Sequence, residues 1–176
     1  MSHLLLVLGG ARSGKSAYAE QRVQDGSVDD DVAYVATLLP GEPDTDARIS
    51  AHRARRPASW WTVEAGHDIA AAIRNAGTHA ALLLDGFELA LAVTDPADDA
   101  AARALAEEVA AAARYAAREL SVVVSAEAGL GVVPSTAAGV RFRDRLGSAN
   151  QVLAAHADEV VLVVAGLPLW LRGGGR

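Results

Sequence analysis

Residues 4–16 read LLLVLGGARSGKS, and this stretch decides the fold. Its first five residues, Leu4–Leu8, form an apolar run that stops at two glycines, which predicts a short buried strand. The next eight residues match the pattern Gly-x-x-x-x-Gly-Lys-Ser of the Walker A phosphate loop. Helical spacing follows from Ser16 through Val23 and ends near Gly26. The order of strand, glycine-rich loop and helix predicts a binding site for a nucleoside triphosphate.

Each residue type in this loop has a chemical purpose. Glycines let backbone N–H groups turn towards phosphate oxygens, and the helix from Ser16 points the positive end of its dipole at the same anion. Lys15 is placed to reach the β- and γ-phosphates, and the Ser16 hydroxyl can ligate Mg²⁺. We therefore predict that Lys15 also acts in catalysis. The predicted phosphate-binding residues are Gly9, Gly10, Ala11, Arg12, Ser13, Gly14, Lys15 and Ser16.

Beyond the loop, short runs rich in Val and Leu alternate with stretches of helical spacing. The predicted strands are Val32–Thr37, Trp60–Glu64, Ala81–Asp85, Ser121–Ser125 and Glu159–Val164. The predicted helices run from Asp44 or Thr45 to Arg56 and over His67–Asn75, Asp98–Leu120 and Ala138–His156. This alternation is typical of an α/β fold. We expect a single P-loop NTPase-type domain of the RecA-like kind over residues 1–176, with a mostly parallel sheet and helices on both faces.

The composition narrows the class of protein. The chain has 176 residues, of which 51% are apolar, a net charge of −6 and no cysteine. The acidic balance argues against a nucleic-acid partner, because such proteins present clusters of positive charge. Without cysteine there are no disulfides and no thiolate metal sites. The apolar runs are too short to span a bilayer and no secretory signal precedes the first strand, so we expect a cytoplasmic protein without a membrane span.

Asp85 directly follows the buried run Ala81–Leu84. An acid at the end of such a strand can hold Mg²⁺ through water, in the Walker B role. We therefore predict that Ser16 and Asp85 form the metal site. The alternative is a solvated strand end or a cap for the next helix. Glu127 follows another predicted strand, at the edge of the sheet where ligands bind in open α/β folds.

The one strongly basic stretch, residues 48–57, contains a histidine and four arginines. On a helix, Arg48, His52 and Arg55 share one face. The arginines are expected to bind triphosphate oxygens and to disfavour the imidazolium, which would leave His52 neutral near pH 7. A neutral imidazole can attack phosphorus and form a covalent intermediate. The alternative is a solvated basic helix face with an incidental histidine.

Several motifs, in one order, cover nearly the whole chain. They are residues 9–16; Tyr34–Thr37; Arg48-Ile49 with His52; Arg56-Pro57 with Trp60, Thr62 and Glu64; Gly129–Pro134; Arg141–Asp144 with Gly147, Asn150 and Gln151; Ala157–Val160; and Val164–Leu169. On these motifs the chain resembles the bifunctional adenosylcobinamide kinase/adenosylcobinamide-phosphate guanylyltransferases of cobalamin biosynthesis.

The resemblance implies two reactions, with GTP and ATP as substrates and Mg²⁺ as cofactor. A triphosphate phosphorylates the aminopropanol hydroxyl of the corrinoid adenosylcobinamide, and GTP then donates GMP to that phosphate, giving adenosylcobinamide-GDP and pyrophosphate. His52 fits the position that carries GMP covalently, and the residue before it is Ala51. The resemblance also implies a homo-oligomer, with a trimer expected. The further nucleotide-binding residues that we predict are Arg48, Arg53, Arg56, Glu64 and Asp85.

Three stretches depart from the family pattern. Leu91-Ala92-Val93 stands where members often carry a Thr-Asn pair, Ala126-Glu127 where Asn-Glu is common, and Asp44-Thr45 where an acid-Met pair is common. These departures concern corrinoid contacts and the kinase half-reaction rather than the triphosphate site. Two other functions remain compatible with the residues: another small-molecule P-loop kinase without a covalent step, and a non-catalytic GTP-binding regulator.

Overall fold

A computed structural model of the chain describes residues 1–27, 30–37, 49–50 and 52–174. The strands are β1 His3–Gly9, β2 Val32–Ala36, β3 Trp61–Glu64, β4 His79–Asp85, β5 Ala117–Ala126, β6 Glu159–Val164 and β7 Leu167–Arg172. The helices are α1 Lys15–Gly26, α2 Ile69–Asn75, α3 Phe87–Thr94, α4 Asp99–Ala116 and α5 Ala137–His156. Residues 49–50 and 52–55 are also helical. We call residues 49–50 and 52–56 the histidine segment.

The seven strands form one sheet in the order β3-β2-β4-β5-β1-β6-β7. Every neighbouring pair is parallel except β6 and β7, which are antiparallel. The predicted mostly parallel α/β sheet is therefore confirmed. The register aligns Glu64, Ala36 and Asp85 at one level across β3, β2 and β4. Because parallel strands end at the same edge, this level and the phosphate loop after Gly9 share one side of the molecule.

Alternating side chains of each strand supply two separate cores. Leu4, Leu6 and Leu8 of β1 face the side that carries α2, α3, α4 and α5. Leu5 and Val7 face the opposite side, where α1 and Trp60 pack. Helices therefore cover both faces, as predicted, but α1 stands on its own face apart from the other four labelled helices.

Helix α4 lies close against the sheet because its buried stripe consists largely of alanine. Ala102, Ala106 and Ala113 have no exposed surface, and Asp98 caps the helix by accepting a hydrogen bond from the Ala101 N–H. The prediction that this helix continues to Leu120 is wrong. Residues 117–120 belong to β5, where Ala117 pairs with His79 and Leu120 pairs with His3. Hydrogen bonding to two neighbouring strands outweighs the local preference for helix.

Two elements were not predicted. Helix α3 begins directly after β4 and buries Phe87, Ala90 and Leu91, which lie on one helical face. Strand β7 returns along β6 through the two-residue turn Ala165-Gly166, in which both residues have positive φ angles, 52° and 81°. Two positive φ angles match the right-handed twist of a hairpin. The predicted helix start at Asp44 or Thr45 lies outside the described residues.

No helix in the described part of the chain combines the length and the apolar character that crossing a membrane requires.

Candidate active site

The phosphate loop is a backbone turn held between β1 and its two neighbouring strands. Gly14 adopts a φ of 93°, a conformation that favours glycine. The Gly166 N–H donates to the Ser13 carbonyl at 2.8 Å, and the Glu127 N–H donates to the Gly9 carbonyl at 3.0 Å. A Cβ on Gly9 would approach the Val163 carbonyl to 2.8 Å, so this position requires glycine. These contacts shape the turn before any ligand binds.

A cavity of about 580 Å³ opens over this turn, and we call it the loop cavity. It is lined by Ala11, Arg12, Ser13, Gly14, Lys15, Ser16, Ala17, His52, Arg55, Glu88 and Ala126. Gly9 and Gly10 are not among its lining residues. The structure thus brings six of the eight predicted loop residues to one cavity, with α1 starting at its floor. Their binding of phosphate stays a prediction.

Asp85 lies at the end of β4, where it meets the start of α1. The Ser16 hydroxyl donates to Asp85 Oδ1 at 2.9 Å, and the Tyr34 hydroxyl donates to Oδ2 at 3.0 Å. Burial alone would raise the pKa of Asp85, but hydrogen bonds from His52, Ser16 and Tyr34 hold it below its usual range. A carboxylate and a hydroxyl in contact beside a phosphate loop are the oxygen ligands that Mg²⁺ prefers. Both predicted metal ligands therefore lie together.

His52 lies in the histidine segment and turns its Nδ1 atom towards acidic side chains. Nδ1 is 3.3 Å from Asp85 Oδ2 and 3.7 Å from Glu20 Oε1. The hydrogen bonds to Asp85 and then to Glu20 raise the pKa of His52 to about 9, against the opposing effects of burial and Arg55. The prediction that the arginines keep this imidazole neutral is therefore wrong for the unliganded protein. Two carboxylates at close range outweigh the opposing charge of Arg55, which is itself paired with Glu20.

Sequence reasoning missed Glu20. This buried carboxylate on α1 accepts two hydrogen bonds from Arg55, at 3.1 Å from Nε and 3.2 Å from Nη2. Burial would raise the pKa of Glu20, but the hydrogen bonds from His52 and Arg55 lower it below its usual value. Glu20 follows Ser16 by four residues, so the helical spacing places both on the face that looks towards Asp85. That spacing is the signal in the sequence by which Glu20 could have been found.

A second cavity, of about 320 Å³, lies beyond Asp85 over the ends of β2, β3 and β4. We call it the tyrosine cavity. Its lining residues are Lys15, Ser16, Tyr34, Ala36, Thr37, Ile49, His52, Arg53, Arg56, Thr62, Glu64, Asp85, Gly86, Glu88 and Leu89. Four of the five further residues predicted to bind the nucleotide therefore meet in one place: Arg53, Arg56, Glu64 and Asp85. Arg48 lies outside the described residues.

Arg56 is the most constrained of these cations. Its guanidinium lies 3.5 Å from the centre of the Tyr34 ring, and its Nε donates to the His52 carbonyl at 3.1 Å. Its Nη1 atom is buried without a hydrogen-bond partner among the described residues. A buried cationic donor of this kind carries a desolvation cost that an anionic ligand would relieve.

Two further residues at this edge have roles that sequence reasoning did not assign. Glu88 lines both cavities, and Asn150 of α5 fastens the end of β5. The buried Asn150 amide accepts from the Ser125 hydroxyl at 2.7 Å and donates to the Ala126 carbonyl at 3.0 Å. Glu127 lines neither cavity and instead accepts from the Gly129 N–H at 2.7 Å. It shapes its own loop.

Comparison with known proteins gives consistent matches over nearly the full chain. A family model described as cobinamide kinase / cobinamide phosphate guanyltransferase matches residues 5–171. The bifunctional adenosylcobalamin biosynthesis protein CobP of Pseudomonas aeruginosa is 37% identical over 169 residues, which cover 96% of each chain. The CobU protein of Salmonella typhimurium, which carries the same description, is 38% identical over 185 residues, covering 96% of this chain and 99% of that one.

Among solved structures, the ATPase domain of G40P superposes with a TM-score of 0.51 at 13% identity, over 91% of this chain and 68% of that chain. A likeness at this identity concerns the fold alone. It confirms the expected P-loop NTPase-type fold.

Proposed function

The chain belongs to the cobinamide kinase / cobinamide phosphate guanyltransferase family, and on that premise we propose that it carries out two successive reactions on adenosylcobinamide. In the first, a nucleoside triphosphate, ATP or GTP, phosphorylates the aminopropanol hydroxyl. In the second, GMP passes from GTP to the new phosphate through a covalent intermediate on His52. The products are adenosylcobinamide-GDP and pyrophosphate.

The observation that carries this proposal is the position of His52 between the two cavities. Four residues line both cavities: Lys15, Ser16, His52 and Glu88. A triphosphate bound along the loop cavity by the phosphate loop would bring its phosphates to this shared wall. A nucleophile there reaches phosphorus, while the tyrosine cavity offers room for a nucleoside or an acceptor. Arg53, Arg56 and Glu64 provide charged groups to bind it.

The contacts of the imidazole support Nε2 as the reacting nitrogen. Among the described residues, the carboxylates near the imidazole, those of Asp85 and Glu20, both lie beside Nδ1. Carboxylates beside Nδ1 keep a proton on that atom, so deprotonation leaves Nε2 with the lone pair. Nε2 then forms a bond to the α-phosphorus while the bond to the pyrophosphate oxygen breaks. An oxygen of adenosylcobinamide phosphate attacks the same phosphorus, and the P–N bond breaks to release Nε2.

The residues present fit a magnesium ion. Ser16 and Asp85 present a hydroxyl and a carboxylate oxygen 2.9 Å apart at the start of α1, and these residues would hold it. When bound, Mg²⁺ supplies charge neutralisation for the phosphate oxygens. Lys15 shares that task as a fixed positive charge in both reactions.

Family membership disfavours the two alternatives, a kinase without a covalent step and a non-catalytic regulator. Incubation with Mg²⁺ and GTP labelled on the α-phosphate tests the covalent step directly. We expect acid-labile label on the wild-type protein, none on His52→Ala, and normal labelling of His67→Ala, whose histidine is exposed and lies outside both cavities. Label that survives in His52→Ala, or that withstands acid, would sink the proposal.

We also propose that the protein acts in the cytoplasm as a homo-oligomer, with a trimer expected. Exposed leucines on β7 support this. Leu167, Leu169 and Leu171 alternate along the edge strand and are 72%, 55% and 56% exposed. Edge strands of monomers usually carry charges or short, blunted pairings instead.

A further inference from the structure

Glu88 is a carboxylate that the covalent step does not use. It lies in the first turn of α3, three residues after Asp85, and it lines both the loop cavity and the tyrosine cavity. Its side chain is 18% exposed. A carboxylate this enclosed, beside a triphosphate site, repels the phosphates. Its presence there therefore calls for a chemical role that offsets this cost.

The carboxylate is held from two sides. Oε2 accepts a hydrogen bond from the Ala126 N–H at 3.0 Å, which fixes it to the end of β5. Oε1 lies 4.0 Å from the Nζ atom of Lys15. Because the lysine of this loop reaches the β- and γ-phosphates, Oε1 stands beside the position of the transferred phosphoryl group.

The electrostatic environment suits a group that takes up a proton. Burial raises the pKa of Glu88 above its usual value, although the charge of Lys15 opposes that rise. A carboxylate with a raised pKa is a stronger base than an exposed one. The backbone hydrogen bond occupies Oε2, so Oε1 is the oxygen that can accept.

We propose that Glu88 is the general base of the kinase half-reaction, taking the proton from the substrate hydroxyl as that oxygen attacks the γ-phosphorus. A bond forms between the hydroxyl oxygen and the γ-phosphorus, and the bond from that phosphorus to the bridging oxygen breaks. The nucleoside diphosphate leaves with the electron pair, and the proton moves to Oε1 of Glu88. This inference rests on the proposed function, because it needs an alcohol acceptor at this site.

The guanylyl transfer does not require this base. Its first nucleophile is the imidazole of His52, and its second is a phosphate monoester, which is largely a dianion at pH 7 and has no hydroxyl proton to lose. Glu88 is therefore expected to matter for one half-reaction and not for the other. A purely structural role predicts something else: if Glu88 only positioned Lys15, both half-reactions would weaken together, because the lysine serves both.

The experiment compares Glu88→Gln with the wild type in two assays. The first follows transfer of the γ-phosphate from ATP to adenosylcobinamide, and the second follows labelling of His52 from GTP labelled on the α-phosphate. We expect the kinase kcat to fall about 100-fold or more, within the range for loss of a general base. The KM for ATP and the labelling of His52 should stay within about twofold of the wild-type values. The glutamine amide has the same shape, and its oxygen can still accept the hydrogen bond from the Ala126 N–H.

Glu107→Gln is the matched control, because Glu107 is exposed on α4 outside both cavities, and it should leave both assays unchanged. A second variant, Glu88→Ala, should regain kinase activity when formate is added, which also covers the case that Glu88→Gln folds poorly. The assignment would be overturned if the kinase kcat of Glu88→Gln stayed within about threefold of the wild-type value, or if both assays lost activity equally. If the wild type itself transfers no phosphate to adenosylcobinamide, the proposed function fails instead.

Discussion

Arg56 is the predicted nucleotide-binding residue whose side chain is held most firmly in place. Its guanidinium is stacked on Tyr34 and bonded to the His52 carbonyl, yet the Nη1 atom is buried without a partner among the described residues. Stacking fixes the plane of the guanidinium, so little side-chain entropy remains to be lost when an anion binds. Arg56 therefore has a buried donor without a described partner and a guanidinium whose orientation is already fixed.

We expect Arg56→Gln to weaken nucleotide binding about 10- to 100-fold, the range for a charge-assisted hydrogen bond. The ligand is α,β-methylene GTP, which cannot guanylylate His52, and its Kd is measured by calorimetry. Arg74→Gln is the control, because it removes the same charge from an exposed site at the end of α2. Equal affinities in the two variants would show that Arg56 does not contact the nucleotide.

At the scale of elements, Asp31 fastens the amino ends of three strands. One carboxylate oxygen lies 2.7 Å from the Nδ1 atom of His79, at the start of β4. The other accepts from Arg118 of β5 at 2.8 Å and from the Ala80 N–H at 2.9 Å. The hydrogen bond with His79, followed by those from Arg118 and Ala80, lowers the pKa of Asp31 below its usual value, although partial burial opposes the shift.

The sign of this shift gives a pH-dependent prediction for Asp31→Asn. A carboxyl group whose pKa is lower in the folded state stabilises the fold above its unfolded pKa, and it loses that contribution as the pH falls through the folded pKa. We therefore expect the variant to be less stable by about 1 kcal/mol at pH 7, a discounted figure for a partly exposed network. The difference should shrink below about pH 4.

Urea unfolding at several pH values between 7 and 3 measures this difference. Asp30→Asn is the matched control, because it makes the same charge change at the preceding residue. Asp30 has a positive φ of 53°, which asparagine tolerates. A loss for Asp31→Asn that is constant over the whole range would mean that its ionisation contributes nothing.

At the scale of the whole molecule, the sheet ends on one side in an apolar edge strand. Trp170 of β7 turns inward, where its ring lies 5.6 Å from the guanidinium of Arg22, while Leu167, Leu169 and Leu171 face outward. We expect light scattering to give a multiple of the 18.2 kDa chain mass, with a trimer expected.

Leu169→Glu should lower that mass to the monomer, because a buried unpaired charge costs far more than a lost leucine contact. Tyr115→Glu, at an exposed position on α4, should leave it unchanged. A wild-type protein that stays monomeric at micromolar concentration would contradict the proposal that β7 forms an interface between copies of the chain.

Much of the site was predictable because it depends on order along the chain. An apolar run, a glycine turn and a helix must follow one another for a phosphate loop to form, and Asp85 comes directly after a run that only a buried strand explains. Even Glu20 had a local signal in its helical spacing from Ser16. The ends of strands were harder to predict. Residues 117–120 have helical character locally and become strand by pairing with β1 and β4.

The sequence by itself determined the layered α/β fold and the glycine-rich turn between β1 and α1, because hydrophobic periodicity and glycine turns act over a few neighbouring residues. Only the tertiary structure decided the charge of His52 and the place of Glu88. The histidine has arginines beside it in the chain, but the fold brings it within 3.3 Å of Asp85. Coulomb energies depend on distance and burial, and neither of these follows from separation along the chain.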